Sequence, residues 1–293
     1  MIELESMSES NFLGIEKEFT NLGTAAHVVL PIPFEKTTSY GKGTAKGPAA
    51  IISASHFVEF YDEVYNIEAF RSGIATLPPV STDDKIEDIF KRITDKISEL
   101  LHKNKFIVCL GGEHSISAPV FEAYNMVFEN LSIIQFDAHS DLRESYEGSK
   151  FSHASVMYRI WEMNPKIVQV GIRSQCIEEA DLIKKEGINT IYAHDLAEKG
   201  FRDEIIENLS ENVFITFDVD YFDPSIMPST GTPEPGGFQW NETVKFLEKI
   251  FNKRNVVGCD VVELSPNPDL THPDFLAAKL VYKMITLKEL TKK

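Results

Sequence analysis

The 293-residue chain has three cysteines, two tryptophans and only 29 basic residues against 45 acidic ones. Cys109, Cys176 and Cys259 are too few and too scattered for a disulfide framework or a zinc knuckle. Cys109 and Cys259 lie in apolar runs, where a small buried hydrophobe is expected. No apolar run approaches the roughly 18 residues needed to cross a bilayer. The acidic first ten residues lack the basic-then-apolar pattern of a signal peptide. A cytoplasmic protein with no membrane partner is therefore expected. The formal charge of −16 argues against nucleic acid as a partner, because a phosphate backbone calls for a basic footprint. The same charge favours small cationic ligands, but weakly. Repeats, low-complexity segments and Gly/Ser linkers are also missing. At 43% apolar and 25% charged, the composition is that of an ordinary globular chain, long enough for one large α/β domain or two small ones.

What is present is a recurring unit, a short apolar β-branched run followed by an amphipathic helical pattern. Candidate strands are 27–31, 73–76, 106–110, 131–136, 167–170, 190–192, 213–217 and 256–262. The clearest helix is 84–102, which sets Ile86, Ile89, Phe90, Ile93 and Ile97 on one stripe with Asp84 as an N-terminal acid. Further helices are predicted at 47–61, 117–128, 177–186, 241–251 and 273–290. Apolar strands alternating with helices indicate an α/β fold whose parallel sheet is covered on both faces. Open parallel sheets carry their sites at the carboxyl ends of the strands.

Four of those ends carry carboxylates or imidazoles. They read Gly111-Gly112-Glu113-His114-Ser115, Asp137-Ala138-His139-Ser140-Asp141, Asp218-Val219-Asp220-Tyr221-Phe222-Asp223-Pro224 and Glu263-Leu264-Ser265-Pro266. On an extended segment, residues two apart point the same way, which would let Asp137, His139 and Asp141 converge, and likewise Asp218 and Asp220. A lone aspartate after a strand is usually a turn or helix cap. A lone His114 beside Ser115 fits a hydrogen-bonded structural role equally well. Four carboxylates and two imidazoles packed together would instead repel strongly without cations. Hard oxygen ligands mixed with imidazole suit Mn²⁺ or a similar ion, and four carboxylates balance two divalent cations.

These same segments resemble the signatures of the ureohydrolases, the family of arginase, agmatinase, guanidinobutyrase and formiminoglutamase. The resembling pieces are 111–115, 136–141, 217–224 and 228–237, with Ser229 where many members have Gly. Ser39-Tyr40-Gly41 and Gly47-Pro48-Ala49-Ala50-Ile51 resemble the family's N-terminal segment, so the likeness runs from about residue 25 to the end. It implies a three-layer α/β/α domain at 21–293 with an eight-stranded, mostly parallel sheet, preceded by an arm at 1–20. It also implies two Mn²⁺ ions. His114, Asp137, Asp141 and Asp218 would hold one, and Asp137, His139, Asp218 and Asp220 the other, with Asp137 and Asp218 bridging. Asp223 is assigned to loop structure. Family members are commonly trimers or hexamers, so a homo-oligomer is expected.

The resemblance further implies attack of a cation-activated water on a guanidinium carbon, releasing urea and an amine. Glu263 would grip the guanidinium, and His153, in Phe-Ser-His-Ala-Ser, would shuttle the proton. Taken alone, His153 reads as a surface or capping histidine. Arginases recognise the α-amino and α-carboxylate groups with Asn and Ser side chains between the third motif Asp and this His. Here Arg143 and Phe151 stand where arginases have two Asn residues, and the stretch is one residue shorter. Glu144, Tyr146, Glu147 and Phe151 could line a channel for a polyamine-like cation, which points to agmatine, with its aminopropyl-extended form next. If Arg143 faced the pocket, a carboxylated substrate such as 4-guanidinobutyrate or formiminoglutamate would fit, and if it were a solvated loop residue it would decide nothing. Metal-dependent amide or phosphoester hydrolysis and a catalytically silent regulatory relative are the other classes. The latter would be expected to lose ligands, yet all six are present.

Overall fold

The computed structural model describes residues 11–291. Eight apolar runs form strands: β1 (His27–Ile32), β2 (Ile74–Thr76), β3 (Phe106–Gly111), β4 (Leu131–Phe136), β5 (Ile167–Ile172), β6 (Asn189–Tyr192), β7 (Asn212–Asp218) and β8 (Asn255–Val262). They make one sheet in the order β2-β1-β3-β8-β7-β4-β5-β6, and every pairing is parallel. Side chains alternate across it. Val28, Leu30, Ile107 and Cys109 enter one apolar core, and Val29, Val108 and Leu110 the other.

The helices are α1 (Gly47–Ser55), α2 (Ile86–Leu101), α3 (Ser117–Val127), α4 (Val156–Met163), α5 (Ile177–Glu186), α6 (Ala193–Lys199), α7 (Asp203–Glu207), α8 (Trp240–Lys253) and α9 (His272–Thr291). Their apolar residues sort by core. Ile89, Phe121, Ile160 and Ile183 place α2 to α5 on one face, while Ile51, Leu196, Ile206, Phe246 and Leu280 place α1 and α6 to α9 on the other. The result is the expected three-layer α/β/α sandwich. No helix among the described residues is long and apolar enough to cross a membrane.

Differences from the sequence reading are local. Helix α2 begins at Ile86, so Asp84 lies outside it and pairs with the Arg92 side chain; Glu87 and Asp88 are the acids of its first turn. Helix α1 ends at Ser55 rather than continuing to Tyr61. There Asp62 accepts hydrogen bonds from the backbone of Val64 and Tyr65 and closes a loop instead. Helices α4, α6 and α7 were not expected. At five to eight residues they are too short for a 3.6-residue period to show. Of the expected arm, residues 1–10 lie outside the described residues. Residues 11–20 are seated on the domain: Phe12 and Leu13 are buried, and their N–H groups donate to Thr76 Oγ1 and Ser55 Oγ. Two large apolar side chains leaving water account for that docking.

Cys109 and Cys259 are buried and free, as small core hydrophobes. Between them and α3 lies a tight approach. A Cβ on Gly258 would sit 2.0 Å from the buried Tyr124 hydroxyl oxygen and 2.4 Å from its ring carbon. Gly258→Ala should therefore overpack this face by about 1–3 kcal/mol. Thermal denaturation should show the midpoint falling by several degrees, whereas an unchanged midpoint would mean that Tyr124 swings aside without cost.

Candidate metal centre

The four strands whose ends carry acids or imidazoles are adjacent in the sheet, β3-β8-β7-β4, although β7 and β8 come far later in the chain than β3. Because all run parallel, their carboxyl ends open on one edge. At the end of β3 the chain turns tightly beneath β1. Gly112 N–H donates to Ile32 O, and a Cβ at residue 112 would lie 2.1 Å from the Phe34 carbonyl oxygen, so glycine is required there. That approach places His114 at the start of a short 3₁₀ turn leading into α3.

His114 is oriented from behind. Its Nε2 lies 2.9 Å from Thr216 Oγ1, whose hydroxyl donates to Asp260 Oδ1 at 2.7 Å. With that hydroxyl proton committed, Nε2 is the donor and Nδ1 carries the free lone pair. Nδ1 has no hydrogen-bond partner and faces carboxylate oxygens of Asp141, Asp137 and Asp218 at 3.0, 3.1 and 3.4 Å.

The loop residues converge, but not because they are extended. Asp137 Oδ1 accepts from the His139 N–H at 2.6 Å, folding the chain back, and Asp141 adopts a left-handed φ of 54°. Asp218 similarly caps a 3₁₀ turn by accepting from the Asp220 N–H at 2.9 Å. Asp220 is thereby turned toward β4, where its carboxylate takes the Ala138 N–H at 3.0 Å and His139 Nδ1 at 2.8 Å. Arg173, after β5, holds this loop by donating to the carbonyls of Asp220 and Glu234 at 2.7 and 2.9 Å.

Two groups of ligand-type atoms result: His114, Asp137 and Asp218, and Asp137, His139 and Asp220. Asp137 belongs to both. Asp218 falls in the first alone, and Asp141 joins it through His114. The electrostatics call for cations. Burial, then the charges of Asp220, Asp137 and Glu263, push the Asp218 carboxyl well up. Burial and the Asp137 charge raise Asp141 to about 6. Burial would depress both imidazoles, but Asp137 and Asp141 pull His114 well above its ordinary value, and Asp220 and Asp137 push His139 up to about 12. Asp137 is lowered, because His114 and His139 outweigh the cost of its burial. A pair of divalent cations fits a donor set this short of positive charge.

Glu263 and His153 line the same cavity of about 250 Å³ as His139, Asp141, Asp218 and Asp220. Glu263 Oε1 accepts the His114 backbone N–H at 2.6 Å, and its backbone is left-handed at φ 66°, a strain of the kind that persists where the surroundings enforce it. Burial and the neighbouring Glu113 charge raise its carboxyl well above the usual range. Of the expected channel residues, Tyr146 lines the cavity. Phe151 does not, because its ring packs edge-on against Phe90 of α2, and Glu144 and Glu147 are exposed on the loop. Arg143 does face the cavity, with its guanidinium 5.1 Å from the Tyr146 ring centre. Asp223 serves its loop, accepting from the N–H groups of Ser225, Gly236 and Gly237. Thr216, Asp260 and Arg173 were not singled out by sequence. Polar residues inside the apolar runs of β7 and β8 were the available signal for the first two.

The arginase family matches residues 25–286. The chain belongs to the arginase family. A relative described as an N(1)-aminopropylagmatine ureohydrolase, from Synechocystis sp., is 38% identical over 91% of this chain and 90% of its own. An agmatinase of Pyrococcus horikoshii is 36% identical over 92% and 95%. Among solved structures, the agmatine ureohydrolase of Thermoplasma volcanium superposes with a TM-score of 0.85 at 33% identity, covering 92% of each chain. As an arginase-family ureohydrolase, the protein carries the eight-stranded fold and the carboxylate–histidine clusters together.

The raised Asp141 makes a pH prediction. At about 6 against an ordinary 3.8, it keeps its proton in the folded chain where the unfolded chain has released it. Its contribution to the stability of the metal-free protein therefore falls as pH rises from about 4 to about 6. Cation binding must displace that proton, so Mn²⁺ should raise the melting temperature more at about pH 7.5 than at about pH 5. Equal rises in calorimetric scans at the two pH values would contradict this account.

Proposed function

We propose that the protein hydrolyses agmatine to urea and putrescine. The observation that carries this reading is one cavity at the sheet edge lined by Glu263, His153 and four of the six metal-type ligands, with His114 and Asp137 clustered against them. His114, Asp137, Asp141 and Asp218 would hold one divalent cation, and Asp137, His139, Asp218 and Asp220 the other. Asp137 would serve both, as its membership of both clusters supports, and Asp218 would do so by its motif. The ions are Mn²⁺ in this reading, and when bound they supply Lewis acidity and an activated water.

The chain's own groups do the rest. The Glu263 carboxylate, which lines the cavity, pairs with the planar guanidinium and turns its carbon toward the acidic cluster. His153, which lines the same cavity, gives the leaving nitrogen its proton as the C–N bond breaks. The chain lacks arginase's polar pair for α-amino and α-carboxylate groups, which disfavours arginine. Arg143 is occupied with the Tyr146 ring, and Glu178 lies near enough for each to feel the other's charge. Arg143 faces the cavity, the placement that would suit a carboxylated tail; in this reading the Glu178 carboxylate offsets its charge and a cationic tail passes the rim. The second reading, N1-aminopropylagmatine, is favoured by the 38% identity to a relative of that description and by a rim where Tyr40 stands 83% exposed. We place the protein in the cytoplasm, consistent with its free cysteines, as a homo-oligomer of three or six chains.

Mn²⁺-loaded protein should be tested with agmatine, N1-aminopropylagmatine, arginine, 4-guanidinobutyrate and formiminoglutamate. Urea is measured, or formamide for the last. Agmatine should give the highest kcat/KM, with the aminopropyl form next; no product from any of them would sink the assignment. Glu263→Gln should keep bound metal and lose about 10²–10³-fold in kcat/KM, the scale of a deleted charge-assisted contact in an active site. Asp137→Asn should lose metal and activity together, as measured by metal content after gel filtration.

A further inference from the structure

Glu113 precedes His114 and is fully buried, and its carboxylate is taken up by hydrogen bonds to the segment after β1 and to Ser115. Its Oε2 accepts the backbone N–H groups of Lys36 and Thr37, both at 2.7 Å. Its Oε1 accepts the hydroxyls of Thr37 and Ser115, both at 2.6 Å. The carboxylate thus pins the segment after β1 to the end of β3, and it takes the single hydroxyl proton that Thr37 has.

With that proton committed, Thr37 Oγ1 can only accept from other groups. It accepts the backbone N–H of His153 at 3.0 Å, which fixes the root of that residue, and it stands 3.4 Å from His153 Nδ1. Ser152 Oγ also stands 3.4 Å from Nδ1, and its hydroxyl can accept there too. The edge of the ring meets Tyr146, with centroids 6.0 Å apart. An acceptor-only oxygen facing Nδ1 selects the tautomer that carries its proton on that atom.

We propose that Thr37, held by Glu113, is the positioning residue for His153: it fixes the Nδ1–H tautomer and so presents the Nε2 lone pair to the cavity. This rests on the proton-transfer role given to His153 above. Nε2 takes a proton from the attacking water as the C–O bond forms and returns it to the leaving nitrogen as the C–N bond breaks. Between those steps the imidazolium Nδ1–H stays directed at Thr37 Oγ1. A histidine of the opposite tautomer would offer the cavity an N–H and could not begin the cycle.

The test compares Thr37→Val and Thr37→Ser in the wild-type and His153→Asn backgrounds of the Mn²⁺-loaded protein. Thr37→Val should lower kcat roughly 10–100-fold with KM and metal content little changed, less than the roughly 10²–10⁴-fold of a whole general acid–base contribution because the imidazole itself remains. It should also move the acidic limb of kcat/KM to lower pH, because an imidazolium without its acceptor gives up its proton more readily. Serine should restore both, and in the His153→Asn background the valine should cost less than about twofold more, as residues acting as one unit do. The same loss in both backgrounds, or no rescue by serine, overturns the proposal. A second readout does not depend on the substrate. In Mg²⁺-loaded protein labelled with ¹⁵N-histidine, the His153 signal, assigned by its loss in His153→Asn, should show a protonated Nδ1 and a bare Nε2. The reverse pattern overturns the proposal, whereas a wild type inert toward every guanidino compound would remove the substrate reading and leave the spectrum to decide the tautomer.

Discussion

Five carboxylates, those of Asp137, Asp141, Asp218, Asp220 and Glu263, are buried together at one edge of the sheet with two imidazoles. Burying like charges is among the most costly arrangements a protein can make, and it survives only where cations or hydrogen bonds compensate. The directions of the shifts record the imbalance. Asp141, Asp218 and Glu263 are pushed up and the imidazoles are pulled up, each toward adding positive charge, while Asp137 is held down by those same imidazoles. The same imbalance suits the proposed occupants, two divalent cations and a guanidinium. It also explains why the surroundings are so thoroughly tied down.

That tying down is done by groups outside the cluster. Asp260 and Thr216 set the His114 ring, Arg173 grips the backbone of the β7 loop through Asp220, and Glu113 joins the first strand's loop to the third's. The left-handed backbones at Asp141 and Glu263 are held against their intrinsic preference by the same surroundings. Two apolar cores, one on each face of the sheet, supply the stability that such a site consumes.

Much of this was legible before any coordinates. The β-branched runs marked all eight strands to within one or two residues, because strands buried on both faces must be apolar throughout. Helix α2 announced itself through its isoleucine stripe, whereas α6 and α7 hold too few turns to show a period. The candidate ligands stood out because acids and imidazoles at strand ends are conspicuous against apolar neighbours, and the fold gathers them. Period-two extension does not aim Asp137 and Asp141, or Asp218 and Asp220; hydrogen bonds from the following N–H groups bend each loop instead. Phe151 looked like channel lining until Phe90 of α2, distant in sequence, was seen to receive its ring.

By itself, the amino-acid sequence determined the layered α/β class, the parallel sheet and the types of side chain available at its carboxyl edge. Those follow from local rules of periodicity and chain polarity, which act over a few residues. Only the tertiary structure decided that β8 and β7 slip between β3 and β4, bringing Glu263 beside His114 and Asp218 beside Asp137. The same is true of Thr37 and Glu113, whose hydrogen bond spans 76 positions and gains meaning only once His153 is against it. Hydrogen bonds are made between atoms a few ångströms apart regardless of their separation along the chain. A residue whose role is to hold another therefore stays silent until the fold supplies its partner.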